Sequence, residues 1–229
     1  MKRVYIVVEG KTEQMFVLEV LRPFFQRRGI TAVDPILIRT SKTGRGGHVN
    51  FQHLFNTISG LLVSKKDDFL VTTFIDYFRI PTNMPEYKAC MTLASGIHRV
   101  EALENALGKE IDDGRFIPYI QLHEFEALLF ANNRGFEEFF SENQAAKTGD
   151  IVSSFRNPEE INSSVDTAPS KRILAIEEGY DKVIQGNLIA LSVGIDEMLS
   201  KCPHFSSWIN EIICRCRGSQ DFQQTCGDN

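Results

Sequence analysis

Apolar and polar positions alternate between two periods along the first half of the chain. Residues 3–8 predict a strand, with Val4 to Val8 an apolar run of strand length that stops at Glu9. Residues 12–28 then carry Met15, Phe16, Leu18, Leu21 and Phe25 at helical spacing, with Pro23 predicted to kink or shorten the helix. A second strand is predicted over 32–38. A helix over 49–63 follows, with Phe51, Leu54, Phe55, Ile58, Leu61 and Leu62 on its buried face. Residues 69–75 are rich in β-formers and predict a central strand. Beyond Asp76 come an aromatic, proline-containing loop over 77–87, a helix over 91–107, a strand over 115–122 and a helix over 124–131. Strands alternating with helices in this way predict an α/β fold, a mostly parallel sheet flanked by helices.

From about residue 132 the strand signals vanish. Segments 136–143, 171–178, 187–200 and 205–216 read as helices, so an α/β core over 1–131 is expected to carry a C-terminal helical annex over 132–217. Residues 218–229 read as a polar, frayed tail.

Composition narrows the function classes. The 229 residues are 42% hydrophobic, enough for a core, and the net charge of -5 argues against a broadly basic surface that wraps nucleic acid. Any nucleic-acid contact must then come from a local basic patch or through metal ions. No apolar run reaches the roughly 18 residues of a membrane span. The N-terminus lacks a secretory pattern, and five cysteines form an odd set without disulfide-scaffold spacing. A cytoplasmic protein with no membrane partner is expected.

Three acidic points recur at predicted strand ends: Glu9, Asp76, and Glu124 with Glu126. Parallel strands bring their carboxyl ends to one edge, so these acids are expected to converge there. Crowded carboxylates repel, and a hard divalent cation, Mg²⁺ or Mn²⁺, is the natural neutraliser. Gly10 is expected to permit a tight turn and Thr12 to cap the helix that follows. Glu13, in the first helical turn, is either a metal ligand, a support for one, or an acid favoured by the helix dipole. Glu124 is expected to be the more direct ligand and Glu126 its support, since residues two apart diverge on a helix. His123 is a candidate general base, set against a role in orienting a carboxylate or capping the helix.

Two basic clusters complete the candidates. Residues 39–48 carry Arg39, Lys42, Arg45 and His48 among glycines and no acid, which predicts a loop that grips phosphate rather than a Walker loop. Lys171 and Arg172 form a second pair at a predicted helix start, either on a nucleic-acid backbone or on bland surface.

Val8-Glu9-Gly10-Lys11-Thr12-Glu13 resembles the first motif of TOPRIM-like proteins. With Thr72 to Phe78, Leu122 to Phe130, Pro169 to Ile173 and Cys202 to Trp208, the chain more narrowly resembles the domain-of-unknown-function family numbered 4276 over roughly residues 3 to 213. The resemblance implies a TOPRIM-like, Rossmann-like sheet and divalent-metal phosphodiester chemistry with Glu9 as a ligand. It further implies a setting in phage defence or abortive infection beside an ABC-type ATPase partner. The expected activity is a nuclease acting on DNA or RNA, tRNA included, with Lys171 among residues that could stabilise transition-state charge. The sequence departs from the TOPRIM pattern where a second aspartate should stand two residues after Asp76, since Phe78 occupies that place. A non-catalytic subunit docking on the ATPase is therefore the alternative, and a nucleotidyl transferase a third.

Overall fold

The computed structural model describes residues 3–39, 50–64, 68–161 and 166–217. Strands β1 (Arg3–Val8), β2 (Val33–Leu37), β3 (Phe69–Asp76) and β4 (Phe116–Ile117) lie in the order β2-β1-β3-β4, and β5 (Ile120–Gln121) also pairs with β3. Every pairing among the described residues is parallel. The sheet is buried on both faces, which is why β1 reads as an apolar run from Val4 to Val8. Val4, Ile6 and Val8 join one hydrophobic cluster, whereas Tyr5 and Val7 join the other.

On the first face lie α1 (Lys11–Phe16), a π-helical stretch (Val17–Leu21) and α2 (Arg22–Gln26), which bury Phe16, Val17, Leu21 and Phe25. Pro23 does not end this helix. Its missing N–H and its clash with the carbonyl four residues back are absorbed by the wider turn just before it. On the second face, α3 (Phe51–Ser64) contributes Leu54, Ile58 and Leu62, and α5 (Gly96–Ile111) contributes Val100, Leu103 and Leu107.

The expected mostly parallel sheet with a helical C-terminal part is what the chain forms, with differences at proline and glycine. The strand expected over 115–122 is split into β4 and β5 around Pro118, which cannot donate to a ladder. The helix expected over 91–107 is α5, starting later with Ser95 accepting from the His98 N–H, after the single turn α4 (Tyr87–Cys90). Residues 125–131 form a 3₁₀ helix (Phe125–Ala131) rather than an α-helix.

The C-terminal part consists of α6 (Arg134–Phe139), α7 (Glu142–Ser154), α8 (Pro169–Ile176), α9 (Ile184–Val193), α10 (Ile195–Lys201) and α11 (Pro203–Arg217). Gly194, at φ 82°, divides α9 from α10 where one helix was expected. Among the described residues these helices form no core of their own. Ile189, Met198, Phe205 and Trp208 share a cluster with Val4, Ile6 and Phe74, and Trp208 Nε1 donates to Thr72 Oγ1 on β3 at 2.7 Å. The tail beyond residue 217 lies outside the described residues.

Candidate functional site

The carboxyl edge of the sheet collects the acids. Val8 pairs with Phe74 across β1 and β3, so Glu9 and Asp76 leave the sheet at the same edge, and Asp76 in turn pairs with Gln121 of β5. Gly10, not Thr12, is the N-cap of α1, and Glu13 closes the turn by accepting from the Gly10 N–H at 2.9 Å. Gly10 has extended backbone, so a left-handed torsion is not what it supplies. A Cβ there would sit 3.1 Å from Glu13 Oε2, so what Gly10 provides is space.

Asp76 Oδ1 accepts from the Phe125 N–H at 2.9 Å, which ties the end of β3 to the start of the 3₁₀ helix. One residue further on, Glu126 is completely buried. Its Oε1 stands 3.1 Å from Lys182 Nζ, and its Oε2 has no hydrogen-bond partner. Lys182 arrives from the segment just before α9, 56 residues after Glu126.

These groups share one field. Burial raises the Asp76 carboxyl well above its usual range, and Glu13, Glu9 and Glu126 push it further in the same direction. Burial lifts Glu9 to about 7 with help from Glu13, while Lys182 pulls the other way. Glu126 also rises to about 7, burial outweighing the attraction of Lys182, and burial raises Glu13 too. For Lys182 burial works against the charge, but Glu126, Asp76 and Glu124 more than compensate and raise its pKa. Four carboxyls and one ammonium thus form a cluster whose acids strain against full ionisation.

Such a donor set, oxygen only, suits a hard cation. Among the described residues no group of three or more His, Cys, Asp or Glu side chains is placed to hold a metal ion by itself. Mg²⁺ needs no such cage, since it keeps waters and takes one or two carboxylates plus substrate oxygens. The residues present are compatible with such an ion, and Glu126 Oε2 is a buried carboxylate oxygen without a hydrogen-bond partner.

Residues 8–213 match the family described as "Domain of unknown function (DUF4276)". The chain belongs to that family. Its structure is similar to the C-terminal region of the Burkholderia pseudomallei OLD protein, at 14% identity and a TM-score of 0.44, over 93% of this chain and 100% of that one. It is also similar to the C-terminal region of the Xanthomonas campestris pv. campestris OLD protein, at 14% identity and a TM-score of 0.45, over 95% of this chain and 99% of that one. No match is found among curated proteins.

The other expected residues of this DUF4276 chain go to different places. Glu124, expected as the more direct ligand, has both carboxylate oxygens engaged: Oε2 accepts from the Ser170 N–H and Oε1 from the Ser170 hydroxyl, each at 3.0 Å. It holds the N-terminal turn of α8, and of these two acids it is Glu126 that acts on Asp76. His123 has left-handed backbone at φ 66°, and its Nε2 lies 2.9 Å from the Glu159 carbonyl oxygen. It neither orients an acid of the cluster nor caps the helix.

Arg172 Nε donates to the Thr167 carbonyl at 2.9 Å and its guanidinium lies over Phe155, whereas Lys171 is exposed on α8. Arg39 is exposed just past β2, at the edge that Glu9 occupies. Lys42, Arg45 and His48 lie outside the described residues. Sequence inspection missed Lys182, because a lone lysine in Tyr180-Asp181-Lys182 carries no motif, and it missed Ser170 beside the more conspicuous Lys171 and Arg172. No described helix is long and apolar enough to cross a membrane.

Proposed function

We propose that this DUF4276 chain is a TOPRIM-like nuclease that hydrolyses nucleic-acid phosphodiesters with Mg²⁺ or Mn²⁺. The observation that carries this is the joint field of Glu9, Glu13, Asp76 and Glu126 at the carboxyl edge of a parallel sheet, where ligands of open α/β folds bind. The second aspartate of the TOPRIM pattern is replaced by Phe78, and Glu126, brought against Asp76 by the 3₁₀ turn, supplies the further carboxylate.

The chain's part is to hold and to position. Glu9, Asp76 and Glu126 offer oxygens to the cation, Glu13 offers its second oxygen while capping α1, and Glu124 fixes α8 from behind. Lys182, 43% exposed and aimed at Glu126, faces the charge that builds on a phosphate in transit. Arg39 with Lys42, Arg45 and His48 grips the backbone of the strand, and Lys171 extends that contact. When bound, the divalent ion polarises the phosphate and lowers the pKa of a bound water. By the same resemblance, the nuclease is the effector of a defence module under the control of an ABC-type ATPase.

Incubation of plasmid, single-stranded DNA and tRNA with Mn²⁺, with EDTA controls, tests the proposal against Asp76→Asn. Metal-dependent cleavage by the wild type and none by the variant is expected. Cleavage that survives the substitution makes Asp76 a structural acid and removes this mechanism.

A further inference from the structure

The sheet ends at β4, and the two helices that cover its opposite faces leave a gap beyond that edge. Phe116 packs with α5 on one side, Ile117 and Tyr119 pack with α11 on the other, and a groove of about 1300 Å³ runs between the helices. Ile117, Pro118 and Tyr119 line it, whereas Glu9, Glu13, Asp76, Glu126 and Lys182 do not. Its volume exceeds the roughly 300–1,000 Å³ that a small organic ligand fills, so it has room for a short stretch of polypeptide.

The charge of this groove has one dominant sign. Glu101 and Glu160 are exposed on its lining, and Glu104 and Glu159 lie deeper. The deeper pair already have structural partners: Glu104 Oε1 accepts from the Ile120 N–H at 2.7 Å and faces His204 Nε2 at 3.0 Å, while Glu159 accepts from the N–H groups of His204 and Phe205. Of the basic side chains of the lining, Arg99 turns its Nε to the Leu93 carbonyl, and His204, for which burial works against the charge but Glu104 and Glu159 raise the pKa, is matched to Glu104.

A second observation points to a ligand. His123 lines the groove, is only 7% exposed, and has no partner for Nδ1. Its Nε2 faces a carbonyl oxygen, which can only accept, so Nε2 carries the proton and Nδ1 of the neutral ring is a bare acceptor. The Phe78 N–H, bonded to the His123 carbonyl at 2.7 Å, holds the backbone beside it. A buried acceptor without a donor is costly, and a donor brought in by a ligand removes that cost.

We propose that the groove between α5 and α11 binds an extended, arginine-bearing segment of a partner protein. Carboxylates attract the charge, the groove has the volume for a segment, and the bare imidazole nitrogen of its lining takes an N–H. Guanidinium suits such a half-buried place better than ammonium, because it is more weakly hydrated and presents five donors in a plane. The site is separate from the acid cluster and holds whether or not that cluster cuts nucleic acid.

The probe is a dye-labelled acetyl-(Ala-Arg)₃-amide titrated into the full chain by fluorescence anisotropy, with the histidine ¹⁵N resonances followed in parallel. Saturable binding that shifts the His123 Nδ1 resonance is expected. Glu101→Gln with Glu160→Gln should weaken it about fivefold, as the loss of two rim charges implies. The matched pair Glu138→Gln with Glu142→Gln, exposed on α6 and α7, removes the same charge and should leave affinity unchanged. Equal weakening by both pairs, no saturable binding, or an unmoved His123 resonance overturns the proposal. Spermine binding as tightly, with the same dependence on Glu101 and Glu160, overturns the peptide as occupant.

Discussion

Replacing Glu126 by Gln separates strain in the acid cluster from an ordinary buried pair. Glu126 rises from 4.5 to about 7 in the folded protein, which corresponds to ~3 kcal/mol at ~1.36 kcal/mol per pH unit. The folded state therefore holds this proton more tightly than the unfolded state. Between pH 4.5 and about 7 the native state binds more protons, so this group makes stability fall as pH rises, and its cost is complete above 7. The carboxamide of the variant has no proton to lose. Lys182, 43% exposed, can turn to water once its partner is neutral. In the presence of EDTA, Glu126→Gln should match the wild type near pH 4.5 and exceed it by ~3 kcal/mol near pH 8, about 6–12 °C in Tm for a chain of this size. Urea melts at both pH values supply the measurement. Added Mn²⁺ should raise the wild-type Tm at pH 8 and raise that of the variant much less, since a ligand stabilises only the state that binds it. A difference that stays the same at both pH values shows that Glu126 ionises like an exposed acid, and refutes the cluster.

Other outcomes follow from single contacts. Glu124→Ala should cost about 1–3 kcal/mol, because the Ser170 N–H and hydroxyl are left buried without an acceptor, and should leave the Mn²⁺ shift in Tm intact; loss of that shift would return Glu124 to the metal. Gly135→Ala puts a Cβ 2.6 Å from the Ile189 carbonyl oxygen, so α6 and α9 must separate, and chemical melts should show about 1–3 kcal/mol of destabilisation. Lys42→Ala with Arg45→Ala should weaken binding to single-stranded DNA and reduce its salt slope by about 2, and an unchanged slope would make the loop an idle one.

The sequence made the sheet legible because its period is local: β1 is apolar from Val4 to Val8 and β3 is a run of β-formers with two buried threonines, they lead into Glu9 and Asp76, and parallel order follows from the helices between them. Breaks imposed by one residue were harder to place. Pro118 splits a strand and Gly194 a helix, whereas Pro23, with the same chemistry, is absorbed by a π turn that depends on what packs against it. The roles of Glu124 and Glu126 depend on tertiary placement. Their divergence was legible from spacing, but which of them met Ser170 and which met Lys182 was decided by segments 46 and 56 residues downstream.

The hydrogen bond from the Phe125 N–H to Asp76 Oδ1 also limits denticity. With one oxygen already accepting from the backbone, Asp76 has its other oxygen the freer for a cation, and the same holds for Glu13, whose Oε2 accepts from Gly10. Calcium gains from carboxylates that chelate through both oxygens, whereas magnesium in its tight octahedron takes them one oxygen at a time. On the proposed metal role, engaging one oxygen of each carboxylate in a backbone hydrogen bond favours ligation through the other oxygen alone, and so the smaller ion.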